Sequence, residues 1–217
     1  SPVPSVATRS RARARRRAST ATYDQTYPYF GLVTSSETRS SSGDLLIGSA
    51  FQYVDVSPSN LQALNIHQPL RSHETITHYT NSQAAYSLEK AYAYDGYGNI
   101  TITSDLGDPN VDTDDSYTCV RYMNDPASGR YGYALQDKTT RTLQACQTFI
   151  AISNPSQVTW DPSTDLRWST ITYDGRMNVL NRSVYDDTHS DFLTTTYTVD
   201  GFGNTLSATN PAGDTTT

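Results

Sequence analysis

The sequence predicts an all-β protein, a curved antiparallel sheet of repeated β-hairpins preceded by a disordered N-terminal tail. Three observations carry that expectation. Thr (31) and Ser (25) dominate the 217 residues, and Tyr (16) far outnumbers Phe (5) and Trp (2). Tyr and Thr suit a pleated, half-wet surface. Short segments alternate apolar and hydroxyl residues with period two, as expected of a sheet with one wet face. Finally, one short turn-like string recurs three times.

In chain order, residues 1–28 are rich in Ser, Pro, Ala and Arg and lack periodicity, so they read as a basic linker or tail. Six of the 14 arginines fall between Arg9 and Arg17. Three readings of that run stand together: an exposed linker in which like charges resist burial, a basic processing site, and an arm for an anionic surface. Residues 29–89 read as a β-rich region leading into the repeats. Within it, 57–70 holds at most a short helical turn around Leu61 and Leu64, ended by Pro69. No window of 11 or more residues carries a helical stripe. Residues 90–217 read as the repeat hairpins. Tyr92 and Tyr94 share a strand face opposite Ala91 and Ala93. Ile100 and Ile102 oppose Thr101 and Thr103, and Tyr197 and Val199 oppose Thr196 and Thr198.

The recurring string is Tyr94-Asp95-Gly96-Tyr97-Gly98-Asn99, then Tyr173-Asp174-Gly175-Arg176-Met177-Asn178, then Val199-Asp200-Gly201-Phe202-Gly203-Asn204. A Pro211-Ala212-Gly213-Asp214 turn follows the third copy. Asp binds backbone N–H groups just ahead of it, and Gly and Asn tolerate the positive φ of a tight hairpin. The Tyr before the Asp is expected to end the incoming strand and pack across to the outgoing one. Met177 stands where the other copies have Gly, so that turn must differ or be strained.

These strings resemble the degenerate unit of the RHS/YD-repeat family. "YDGYGNITITSD" and "VDGFGNTLSATNPAGDTTT" fit it closely, and "YDGRMNVLNRSVYD" departs at Met177. Upstream, "YFGLVTSSETRSSSG", "YMNDPASGRYGYALQDKTTRT" and "WDPSTDLRWSTITYDG" resemble segments that lead into such repeats in bacterial toxin-type and secreted members. The resemblance implies strips of hairpins spiralling into a hollow shell. In Tc-toxin B components such a shell encloses a toxic segment, and in teneurins it serves adhesion. It further implies a secreted or extracellular location, and as partners the neighbouring RHS repeats of one parent chain, an enclosed toxin segment or other toxin-complex subunits. Family members are far longer than 217 residues, so the chain reads as a fragment of wall that stops mid-unit.

Other functions are weighed on composition and spacing. The net charge is −6, and outside the first 20 residues 22 acidic residues face 10 basic ones. That balance argues against nucleic acid as a partner, since binding it needs a basic face. No apolar run approaches the length of a membrane span. Cys119 and Cys146 lack metal-site spacing and are left as either a disulfide or two buried thiols. His73-Glu74 with His78 misses the zinc-protease spacing. Asp108, Asn110, Asp112 and Asp114 form a weak calcium candidate, with Thr113 and Cys119 where a calcium loop wants Gly and Glu. The adjacent carboxylates Asp114/Asp115 and Asp186/Asp187 face opposite ways on a strand, which does not suit acid–base work. No nucleophile elbow, P-loop or dinucleotide fingerprint occurs. The sequence therefore reads as a non-enzymatic wall segment without cofactor. The main alternative is an extracellular carbohydrate- or cell-surface-binding module, using Trp160, Trp168 and the Tyr-rich strands as a platform. A hydrolase built from scattered residues is a third and weaker rival.

Overall fold

The computed structural model describes residues 17–217. Thirteen strands form one sheet whose spatial order is its sequence order, and every pairing is antiparallel. The first five are β1 (Ala18–Tyr23), β2 (Val33–Arg39), β3 (Leu45–Asp55), β4 (Pro69–Thr80) and β5 (Gln83–Tyr94). The middle four are β6 (Ile100–Gly107), β7 (Ser116–Asp125), β8 (Arg130–Thr140) and β9 (Asp165–Tyr173). The last four are β10 (Val179–Asp186), β11 (Asp191–Val199), β12 (Thr205–Thr209) and β13 (Thr215–Thr216). Helix α1 (Ser59–Gln62) is the short turn expected before Pro69, and α2 (Leu143–Ala151) lies between β8 and β9. A strictly sequential meander puts alternate connections on opposite rims. One rim carries 24–32, 56–68, 95–99, 126–129, 174–178 and 200–204, and the other carries the rest.

Two expectations need correction. The linker assigned to 1–28 is a strand over Ala18–Tyr23, because Thr20, Thr22 and Tyr23 favour extension and pair with Glu37, Ser35 and Val33 of β2. The tail's remainder, including Arg9 to Arg16 of the basic run, lies outside the described residues. Second, α2 went unread because it spans only nine residues. Thr142 caps it, its Oγ1 accepting from Ala145 N at 3.2 Å, and Cys146 and Phe149 face inward.

The core is small and one-sided. Cys119, Cys146, Phe149, Val158 and Trp168 are buried, with Ile102, Tyr117, Ile150, Ile152, Trp160, Tyr185 and Phe192 packed against them. A cross-strand row builds this cluster: Ile102 opposite Cys119, Cys119 opposite Lys138, Lys138 opposite Trp168, and Tyr185 opposite Phe192. Helix α2 covers the row, and a Cys119–Cys146 disulfide ties helix to sheet with Cα atoms 5.6 Å apart. Among the described residues nothing comparable covers β1–β5: β1 is exposed throughout, β2 and β4 sit at intermediate exposure, and β5 is exposed over most of its first half. The chain exposes 14360 Å², whereas a compact chain of its mass would expose roughly 10,000 Å². The face alternation holds in β11, where Tyr197 and Val199 are half-buried and Thr196 and Thr198 exposed, but fails in β6, where Ile100 is exposed and Thr101 and Thr103 are as half-buried as Ile102.

Candidate functional site

The candidate site is the ladder of turns. Asp95–Asn99, Asp174–Asn178 and Asp200–Asn204 each join two strands by five residues, and their hydrogen bonds superimpose. In each, the Asp N–H donates to the Asn carbonyl at 2.9–3.0 Å. The Asp Oδ1 accepts the N–H groups two and four residues on, at 2.8–3.0 Å. The Asn carboxamide donates to the Asp Oδ2 at 2.9 Å in all three. The fourth position is left-handed: Gly98 at φ 85°, Gly203 at φ 88° and Met177 at φ 70°. Met177 therefore makes the same turn, with the strain of an L side chain there.

The same construction occurs twice more. Asn210–Asp214 exchanges the end residues, with Asn210 Nδ2 donating to Asp214 Oδ2 at 3.0 Å and Gly213 at φ 92°. Pro211 occupies its second position. Ser40–Asp44 replaces the leading Asp by Ser, whose Oγ accepts from Ser42 N and Asp44 N, with Gly43 at φ 94°. Sequence reading missed this copy because only the short acceptor, the fourth-position Gly and a terminal Asp or Asn are shared. Gly96, Gly175 and Gly201 sit at the second position without positive φ.

The tyrosine role is the reverse of the expected one. Tyr94 OH donates to Arg71 O of the preceding strand at 2.5 Å. Tyr53, Tyr122 and Tyr173 likewise reach back, to Val33 O at 2.8 Å, Ile100 O at 3.0 Å and Ala134 O at 2.8 Å. At Tyr53, Tyr94, Tyr122 and Tyr173 the pairing with the following strand shifts register, and the extra residue (Ser72, Thr101, Leu135 and Leu180) lies in that following strand. One Tyr per hairpin thus ties β3, β5, β7 and β9 to the strand before. In β11 the matching residue is Val199, which has no hydroxyl.

Neighbouring turns also touch along the rim. The Asn124 carboxamide donates to Asp95 Oδ2 at 2.8 Å and accepts from Asn99 Nδ2 and Gly132 N. Arg130 Nη2 donates to Gly175 O at 2.7 Å, and Arg176 Nη1 to Gly201 O at 2.6 Å. A Cβ at Gly203 would stand 2.6 Å from Asn178 Oδ1. Hydrogen bonds from Asn178 and Asn204 hold the Asp174 and Asp200 carboxyls below the ordinary carboxylate range. At Asp95, burial pushes upward, and the bonds from Asn99, Tyr97 and Asn124 overcome it.

The remaining candidates do not assemble into chemistry. Asp108 Oδ1 accepts from Asn110, and Asp114 Oδ2 accepts from Asp108 N, so the calcium candidate's oxygens serve their own loop. His73 lies 3.5 Å from Glu89, and His78 stacks on Tyr86. Among the described residues no group of three or more His, Cys, Asp or Glu could hold a metal. Asp115 accepts from Tyr117, and Asp186 contacts His189. Trp168 is 7% exposed, so it serves the core and not a binding platform; Trp160 stacks on Tyr185. Sequence reading gave no hint of the groove of about 370 Å³ beside α2, over the buried ion pair Lys138–Asp165. No helix among the described residues is long and apolar enough to cross a membrane.

Known family profiles and curated proteins give no match to the chain. Among solved structures, TcdB2-TccC3-Cdc42 aligns over 88% of this chain and 10% of its own length, at 14% identity and TM-score 0.34. The Photorhabdus luminescens Tc holotoxin pore with a TccC3 mutation aligns over the same shares, at 15% identity and TM-score 0.36. The chain spans about a tenth of the length of these structures.

Proposed function

We propose that these residues are a stretch of wall in an RHS-type shell of a secreted or toxin-associated protein, with no catalysis of their own. One observation carries the reading: a strictly sequential, open antiparallel strip in which a single turn construction recurs five times and neighbouring connections along one rim hold one another. Such a strip grows by adding hairpins and has little central core, as in other repeat architectures whose units depend on neighbours. Its working residues are the turn Asp, Asn and Gly residues and the back-reaching tyrosines. Its partners are further repeats on the same parent chain, with an enclosed segment or other subunits of a toxin complex beyond them. The test is light scattering on the purified chain. Two edge strands and a thinly covered sheet predict self-association, because edges pair with other chains. A clean monomer that melts cooperatively at high temperature would overturn the wall and favour the surface-binding module, whose platform would then be the exposed rim tyrosines Tyr97 and Tyr131, 5.0 Å apart.

A further inference from the structure

The floor of the α2 groove holds a pair that a wall does not require. Lys138 lies in β8 and Asp165 opens β9, and the two strands pair at Lys138 with Trp168 and at Thr140 with Asp165. The two side chains are 6% and 3% exposed, and Nζ is in direct contact with Oδ2. Thr159 O accepts a second Nζ–H at 2.6 Å. Asp161 N donates to the same Oδ2 at 2.9 Å. The Trp168 and Phe149 rings stand 5.1 and 5.8 Å from Nζ and help to exclude water.

We propose that Lys138 and Asp165 condense into an intramolecular isopeptide bond. An isolated ion pair loses much of its hydration in such a site. Passing one proton along the contact leaves a free amine and a carboxylic acid, the forms a dry site tolerates best. The amine lone pair then adds to Asp165 Cγ. The fixed contact supplies the proximity that intramolecular attack needs. The proton passed along the contact sits on Oδ2, so the negative charge of the adduct gathers on Oδ1. Oδ2 leaves as water, taking that proton and one proton from nitrogen, and the Asp161 N–H that points at Oδ2 stabilises the departing oxygen. The Nζ–Cγ bond forms, the Cγ–Oδ2 bond breaks, the carbonyl re-forms at Oδ1, and no oxidant, reductant or cofactor enters. The product would close a covalent ring from 138 to 165 around α2, beside the disulfide that already anchors the helix.

The experiment is mass spectrometry of the reduced, denatured protein. The expected mass is one water below that of the reduced sequence. Trypsin should fail to cleave after Lys138, and fragmentation should show a branched peptide joining Lys138 to Asp165. Lys138→Arg should restore the full mass, a covalent readout that holds whether or not the variant folds. The unmodified mass would overturn the proposal. So would a water loss that maps to succinimides at the Asp-Gly steps Asp95, Asp174 or Asp200 and persists in Lys138→Arg.

Discussion

Gly43→Ala and Gly203→Ala form a matched pair that separates the cost of the turn from the value of turn-to-turn contact. Both glycines hold the fourth position of the same five-residue turn, at φ 94° and 88°. A Cβ at Gly43 meets nothing within 4 Å, whereas one at Gly203 stands 2.6 Å from Asn178 Oδ1 in the neighbouring turn. Left-handed backbone costs an L residue about 1–2 kcal/mol. Alanine recovers about 0.4–1 kcal/mol by restricting the unfolded chain. Gly43→Ala should therefore destabilise by about 0.5–1 kcal/mol. Gly203→Ala carries the same term and also displaces the Asn178 carboxamide from Asp174, so it should be the more destabilising of the two. Urea unfolding followed by circular dichroism reads the difference. Amide exchange locates it: Gly203→Ala should speed exchange at Asn178 N, which donates to Asp174 Oδ1 one hairpin away. Equal destabilisation of the two variants, with exchange changes confined to β11 and β12, would refute the idea that rim turns support one another.

Three further outcomes follow from the same geometry. Tyr173→Phe should cost about 1 kcal/mol in urea unfolding by stripping Ala134 O of its donor, while Tyr97→Phe, which makes no such bond, should be silent. Replacing Cys119 and Cys146 together by Ala opens a loop of 27 residues and should cost up to about 3.6 kcal/mol, read as a lowered urea midpoint that added reductant no longer changes. Stability should also fall at both ends of the pH scale. Asp174 and Asp200 titrate below 3.8 when folded, so their contribution is intact above that value and is lost as pH falls through the folded values. Burial raises Tyr94, Tyr122 and Tyr173 above 10.0, so theirs is intact below pH 10 and lost as pH climbs past it. Melting temperatures recorded across pH 2–11 should form a dome, and a flat acid limb would contradict the turn carboxylates' role.

What the sequence disclosed was local. The three Asp-Gly-x-x-Asn turns are legible because donors and acceptors lie within five residues, so chemistry and spacing sit in one string. The Ser40 turn hides because Ser does Asp's work with a single oxygen. Helix α2 hides because nine residues carry too few turns for a stripe, and its burial depends on a sheet built from residues on either side. The disulfide is a product of α2 docking on β7, and the Lys138–Asp165 contact and the burial of Trp168 are products of register between β8 and β9, none of which a local pattern encodes. The tyrosines stand out in the sequence as strand-ending residues, but the carbonyl each hydroxyl reaches lies on the strand before, a contact that no local pattern encodes.

The most direct test of the wall is electron cryomicroscopy of the complete protein encoded by the reading frame that contains these residues. The account predicts a hollow shell in which the strip runs without interruption into further hairpins at β1, β13 or both, with the five turns lining its rims. A compact, self-contained domain with both edges of the thirteen-stranded sheet left free would contradict it.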